Sequence, residues 1–185
     1  DLKISLSNGK LKANRLSGRI TLDLNQSEAV VNYLGNATCS MNFAEIEVKE
    51  CKKASVSSLS SRITMENVEE LRLDSRRDRV YLTRVGRLYG ESYFSDFWIR
   101  NLLNETDLKI KYGDFNVDHI DKHFARLVMT TEYADINLFL EKGTSFRTDI
   151  ESRDTYIYLP DKLNVAEEKV LDQEKNYRIL SGFQH

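Results

Sequence analysis

Lys111-Tyr112-Gly113-Asp114-Phe115-Asn116-Val117 alternates apolar and polar residues, and the alternation returns as Glu132-Tyr133-Ala134-Asp135-Ile136-Asn137-Leu138. Degraded copies lie upstream at Phe94-Ser95-Asp96-Phe97-Trp98-Ile99, Asp78-Arg79-Val80-Tyr81-Leu82 and Phe43-Ala44-Glu45-Ile46-Glu47-Val48. A two-residue period is that of a β-strand with one covered face. The stretch therefore predicts one strand made repeatedly along the chain.

The copies recur at fixed spacing. Ile46, Ile63, Val80 and Phe97 are 17 residues apart, and Phe115 and Ile136 follow at 18 and 21. Nine residues ahead of the first four stand Ala37, Ala54, Leu71 and Leu88, which gives each repeat two short strands. A third series, Leu34, Cys51, Val68 and Val85, continues to Leu102 and Ile120 and reads as an inward corner. The four regular repeats thus place Leu34, Ala37, Cys39, Ile46 and Val48, then Cys51, Ala54, Val56, Ile63 and Met65, inside. Val68, Leu71, Leu73, Val80 and Leu82, and Val85, Leu88, Gly90, Phe97 and Ile99, follow. Nineteen of these twenty are apolar, against about eight expected from composition; Gly90 is the exception. Thr38, Glu47, Ser55, Thr64, Arg72, Tyr81, Tyr89 and Trp98 fall between them and face water.

One such repeat cannot stand alone. Five inward side chains at roughly 1.5 to 3 kcal/mol each do not offset about 1 to 2 kcal/mol of backbone entropy for every ordered residue. Coils must stack, which sets equivalent residues about 4.8 Å apart in parallel ladders and turns each series into a continuous seam. The expected fold is all-β: a single-domain parallel β-solenoid (β-helix), right-handed, of about eight two-strand coils of 17–21 residues. The rarity of proline, with Pro160 alone, agrees, because proline removes a ladder donor.

Residues 1–33 read as the first coil, built on Leu11, Ala13, Ile20 and Leu22, with an insertion at 26–31. Residues 34–160 read as the regular coils, with longer turns at 104–107 and 118–122 and with Leu108 and Ile110, Leu127 and Met129, Phe146 and Thr148 as first strands. Pro160 ends the ladder, and residues 161–185 form a C-terminal cap. There Asn164 and Glu167 have capping-box spacing and Leu163, Ala166 and Val170 share a helical face. A short helix and an extended tail are both open, and Tyr177 to Leu180 can return as a last strand.

Composition bounds the rest. The chain has 185 residues, 41% hydrophobic and 30% charged, with 27 basic against 29 acidic residues. A net charge of -2 creates no general attraction to nucleic acid or an anionic membrane. The longest uncharged run, residues 29–44, is too polar for a membrane helix, so neither nucleic acid nor membrane insertion is expected. No signal peptide is legible; cytoplasmic residence and a removed targeting segment both fit. Cys39 and Cys51 read as two buried thiols rather than a disulfide framework or zinc site.

The inward period differs from the six-residue period of hexapeptide acyltransferases, and neither the leucine-rich consensus nor the calcium nonapeptide is present. Tyr112-Gly113-Asp114-Phe115 and Tyr133-Ala134-Asp135-Ile136, with Ser152-Arg153-Asp154-Thr155 as a weaker copy, carry a resemblance. Residues 68–160 resemble a bacterial adhesin-type family of unknown function whose coils repeat Tyr-Gly-Asp-Ile or Tyr-Ser-Asp-Ile, and more distantly the adhesin-head GIN domain. The resemblance implies a bacterial, extracytoplasmic β-solenoid in the periplasm or on the cell surface, without catalytic residues. The N-terminal half lacks the tripeptide and is assigned by periodicity alone.

Chemistry is sparse. Asp118-His119-Ile120-Asp121-Lys122-His123 holds metal-capable side chains without ligand spacing, and reads as a solvated turn. Asp96, Asp114 and Asp135 share an outward column and read as caps of corner amides rather than as calcium ligands. No Ser, His and acid converge, so no catalytic residue, metal or cofactor is expected. The candidate ligand site is the exposed face of the second strands: Arg79 and Tyr81 beneath Asp96, Trp98 and Arg100, where two aromatic planes flanked by charge suit a sugar ring or a protein partner. Sheet stabilisation by stacked aromatics explains the same rings without a ligand. The function expected is a non-catalytic adhesion, envelope-associated binding or structural module; the alternative is a polysaccharide-acting β-helix enzyme or glycan-binding module.

Overall fold

The computed structural model describes residues 1–140, 147–158, 165–170 and 177–181. Its strands are β1 (Leu2–Ser7), β2 (Lys10–Asn25), β3 (Glu28–Asn42), β4 (Glu45–Leu59), β5 (Arg62–Arg76), β6 (Arg79–Tyr93), β7 (Asp96–Ile120), β8 (Arg126–Leu140), β9 (Arg147–Arg153), β10 (Tyr156–Tyr158), β11 (Val165–Val170) and β12 (Tyr177–Ser181). From β1 to β9 each strand pairs in parallel with the next in chain order. That is the β-solenoid the 17-residue spacing predicts, about eight turns long. Among the described residues there is no helix, and so none long and apolar enough to cross a membrane.

Each 15-residue strand from β3 to β6 is a whole coil that bends without leaving its ladder. In β3 the buried positions run Ala29, Val31, then Leu34, then Ala37, Cys39 and Met41. The three-residue step to Leu34 marks the bend, and both halves turn alternate side chains into one interior. All twenty predicted inward positions are buried except Gly90, which is partly exposed. A Cβ on Gly90 would sit 1.8 Å from the Leu73 carbonyl oxygen, at φ +138°, so only glycine fits between these rungs.

The interior has seven columns where the sequence pattern names five. One of the additional columns holds Met41, Ser58, Ser75, Ser92, Ile110 and Thr131, and the other Ser27, Ala44, Ser61, Asp78, Ser95, Ala134 and Thr155, all buried. The second lines a sharp corner where one residue per coil has positive φ: Asn8, Gln26, Phe43, Ser60, Arg77, Phe94, Tyr112, Tyr133 and Asp154. That conformation costs roughly 1 to 2 kcal/mol for a non-glycine residue. Inter-coil hydrogen bonds hold it in place. Phe43 N–H donates to Leu59 O at 3.0 Å, Ser60 N–H to Arg76 O at 2.8 Å, and Phe94 N–H to Lys111 O at 2.9 Å. At one coil the residue after the turn has no room for a side chain. At Gly113, φ +150°, an added Cβ would lie 2.1 Å from Ser95 O. Tyr112-Gly113-Asp114 is thus turn, small inward residue and first residue of the next face.

Asp78, 2% exposed, is the centre of this corner. Ser58 and Ser75 hydroxyls donate to its Oδ2 at 2.5 and 2.8 Å, Arg76 N–H donates to the same oxygen at 3.0 Å, and Ser61 N–H donates to Oδ1 at 2.7 Å. Its own N–H donates to Ser95 Oγ at 3.0 Å. A buried carboxylate is tolerable here because both oxygens accept hydrogen bonds, three at Oδ2 and one at Oδ1.

Several sequence boundaries need correction. Residues 26–31 are not an insertion: Ala29 and Val31 pair in register with Ile46 and Val48, and the extra residue lies between Leu16 and Arg19, at Gly18. Residues 105–107 pair with Arg87, Leu88 and Tyr89, leaving only one extra residue between Leu102 and Glu105, not a turn at 104–107. The later turn is at 121–125 rather than 118–122, with buried Phe124 closing it. Leu88 pairs with Thr106, so that first strand begins on Thr106 rather than on Leu108, and Thr148 pairs with Leu127 in the same column. Phe146, Pro160, Leu163 and Asn164 lie outside the described residues. No helix forms over 165–170: β11 pairs antiparallel with β12, which pairs antiparallel with β9 and supplies the expected last strand. A returning antiparallel pair covers the β9 edge that a parallel ladder leaves open.

Candidate functional site

The second-strand face begins at the sharp corner, and two of its outward columns run through β5 to β8 as follows. Arg62, Arg79, Asp96, Asp114 and Asp135 form the first, and Thr64, Tyr81, Trp98, Asn116 and Asn137 the second. The register therefore places Arg79 beside Asp96 and Tyr81 beside Trp98, as the spacing predicts. The Tyr81 and Trp98 rings stack with centroids 4.8 Å apart and planes 9° from parallel. That separation is about the spacing of neighbouring rungs, so each ring covers a face of its neighbour. Trp98 is 39% exposed. Tyr81 is half-buried rather than exposed, because Trp98 overlies it.

Charge on this face is unusual. Arg62 pairs with Glu45 at 3.5 Å, but Arg79 and Arg100, both exposed, make no ion pair among the described residues. Asp96 instead accepts the Asp114 N–H through Oδ1 at 3.2 Å, which is the corner-capping role expected of it. Asp96, Asp114 and Asp135 then stack in successive rungs. Partial desolvation, followed by the Asp96 and Asp135 charges, pushes the Asp114 carboxyl above its ordinary value. Beyond Trp98 the column continues as amides: Asn116 donates to Phe97 O at 3.3 Å and Asn137 to Asn116 Oδ1 at 2.9 Å.

A second aromatic ladder borders the face. Phe94, Tyr112 and Tyr133, all at positive φ, stack with centroids 4.6 and 5.2 Å apart. In the sequence Tyr112 and Tyr133 mark the repeat, and their fixed place before Gly113 and Ala134 is the one local signal of this ladder.

Elsewhere the chemistry is quiet. Burial pushes the thiols of Cys39 and Cys51 up to about 12, so neither is a thiolate at neutral pH. Of the Asp118–His123 cluster, the structure joins Asp121 and His123: Asp121 Oδ1 accepts His123 N–H at 2.8 Å and lies 2.9 Å from Nδ1. The His123 N–H, and then its ring, hold the Asp121 carboxyl below its usual range. Among the described residues no three His, Cys, Asp or Glu side chains converge on a metal position. A groove of about 460 Å³ at the apolar corner, with Glu50, Lys52, Glu69 and Arg84, and one of about 810 Å³ at the sharp corner, with Glu45, Arg62, Arg77 and Arg79, contain no histidine.

No family model, curated protein or solved structure matches the chain.

Proposed function

We propose that the chain is a non-catalytic, extracytoplasmic binding and structural module of the adhesin-like, envelope-associated kind, which engages a glycan or protein ligand along its outer second-strand face. The observation that carries this is the stacked Tyr81–Trp98 pair, set beside two arginines, Arg79 and Arg100, without ion-pair partners among the described residues. An aromatic with an apolar body and a polar handle, next to an available guanidinium, is the chemistry enriched at binding hot spots. The ladder itself supplies rigidity, since each side chain stands on a paired strand whose neighbours hold it in register.

A polysaccharide-acting enzyme would need two carboxyl groups flanking a bond, one of them protonated as an acid. Asp96, Asp114 and Asp135 stand in one outward column instead. The test is a screen of glycans and cell-envelope fractions against the wild-type chain and the Tyr81→Ala/Trp98→Ala double variant. Attachment by the wild type that the double variant loses, at an almost unchanged melting temperature, is the expected result. Attachment retained by the double variant would remove the face from the function.

A further inference from the structure

The sharp corner sets one residue per coil at positive φ, and in the later coils these residues are flat rings. Phe94, Tyr112 and Tyr133 stack in successive rungs, with centroids 4.6 and 5.2 Å apart and planes 9° and 3° from parallel. Earlier in the same column stand Phe43, Ser60 and Arg77, at φ 49°, 49° and 56°. The backbone conformation is the same, and the middle side chain differs. Where Tyr112 fills the place between Phe94 and Tyr133, Ser60 leaves the place between Phe43 and Arg77 open. All three residues line the groove of about 810 Å³ at this corner. Among the described residues the exposed Phe43 ring stacks on no other ring, and the exposed Arg77 guanidinium makes no ion pair and lies over no ring.

We propose that this gap is a binding slot for a small planar aromatic anion, whose ring takes the rung that Ser60 leaves open. Two rungs separate Phe43 from Arg77 by about 9.6 Å, and a flat ring with a contact of about 3.5 to 4 Å on each side fits that space. The molecule supplies its own gauge, because two rungs of the same column already admit the Tyr112 ring between Phe94 and Tyr133. The guest stacks on Phe43 from one side and meets the planar guanidinium of Arg77 from the other, a pairing of π-face and cation that is favourable with either ring charge. Charge at the mouth selects the substituent. The two carboxylates of the groove are each held by a cation, Glu28 by Lys10 at 2.7 Å and Glu45 by Arg62 at 3.5 Å. Asp78, in the same corner, accepts four internal hydrogen bonds. Arg77 and Arg79 make no ion pair among the described residues, so the charge left available is positive and suits a carboxylate or phosphate. The half-buried Ser60 adds a hydroxyl at the floor. This slot lies at the corner and does not rest on the binding role assigned to the Tyr81–Trp98 pair.

Isothermal titration calorimetry of the full chain with 2-naphthoate tests the slot. The wild type should bind with a dissociation constant of about 1 mM or tighter, as a ligand of about a dozen heavy atoms allows. Cyclohexanecarboxylate, which keeps the charge on a puckered ring, should bind at least about tenfold more weakly, and 2-naphthylmethanol, which keeps the ring without the charge, at least about threefold. Phe43→Ala and Arg77→Ala should each weaken 2-naphthoate by about tenfold or more. Ser60→Tyr supplies the ring from the chain itself and should abolish binding without lowering the melting temperature; if that variant fails to fold, the two alanine variants carry the test. The Tyr81→Ala/Trp98→Ala variant should bind as the wild type does. No binding by the wild type, equal binding of either control compound, or undiminished binding by a folded corner variant would each overturn the proposal. Loss in the Tyr81→Ala/Trp98→Ala variant would place the ring on the second-strand face and overturn it too.

Discussion

The two outer faces of the solenoid are built on one interior and differ in how far neighbouring rungs pair their charges. On the second-strand face Lys10 meets Glu28 and Arg62 meets Glu45, but the rungs beyond them do not pair among the described residues. On the first-strand face Glu70 is held between Lys53 and Arg87, Lys109 meets Glu91, and Tyr89 donates to Glu105, whose proximity, after burial, pushes the phenol up to about 12. On the second-strand face Arg79 lacks an ion-pair partner among the described residues and three aspartates stack unrelieved. A parallel ladder brings equivalent residues together whatever their charge, so opposite signs in neighbouring rungs stabilise the coil and like signs oppose it. The first face therefore pairs more of its charges across rungs than the second does over β6 to β8, among the described residues.

The contrast is broken most completely from inside. Leu73, 2% exposed, sits beneath the first face in the seam that both faces share. Leu73→Asp places an unpaired carboxylate there and should cost more than about 4 kcal/mol. Both faces should be lost together, seen as loss of the β-sheet dichroism and a shift of Trp98 emission at 25 °C; cooperative melting at an unchanged temperature would show the seam to be other than described.

Asp78 ties the faces together at the sharp corner. Asp78→Ala removes the acceptor for two hydroxyls and two backbone N–H groups, at a cost of about 2 to 5 kcal/mol. Asp78→Asn, which keeps one carbonyl acceptor, should lose less. Chemical denaturation of the three proteins would rank them wild type, Asn, Ala; equal stability of Ala and wild type would deny the corner its role.

How far these features were legible depended on polarity. Leu34, Cys51, Val68 and Val85 announced one corner because an apolar bend repeated at 17 residues has no other use. The opposite corner has the same period but is filled by Ser58, Ser75, Ser61, Asp78 and Ser95, residues that sequence reasoning assigns to water. Their burial depends on hydrogen bonds across coils, between residues 17 or 20 apart in sequence, and no local pattern reveals that. Ala29 and Val31 fit the period, but one added residue near Gly18 shifts the preceding spacing and makes residues 26–31 look like an insertion. At the candidate face, alternation alone gave the register of Arg79 with Asp96 and Tyr81 with Trp98. It could not tell that Asp96 would turn to the Asp114 amide and leave Arg79 without an ion pair among the described residues.

Next in size is the aromatic pair. Tyr81→Ala/Trp98→Ala removes one ladder contact from the second face, which is worth about 0.5 to 1.5 kcal/mol beyond the area it buries. The melting temperature should fall by only a few degrees while association is abolished. A collapse of the fold would mean that the rings belong to the fold rather than to a partner.

The smallest effects test the contrast most directly, because their signs differ. Lys53, through its hydrogen bond first, and Arg87 hold the Glu70 carboxyl below its ordinary value; its contribution is present above the unfolded value and fades as pH falls through the folded one. Asp114 is displaced upward, so its charge opposes folding at neutral pH and the penalty fades as pH falls through that raised value. The decisive measurement is the melting temperature of Glu70→Gln and Asp114→Asn at neutral pH, low salt and a concentration that keeps the chain monomeric. Glu70→Gln should lower it and Asp114→Asn should raise it, each by less than about 1 kcal/mol in stability. A fall in both would show the second-strand face to be as satisfied within the molecule as the first, and would contradict a face built for a partner.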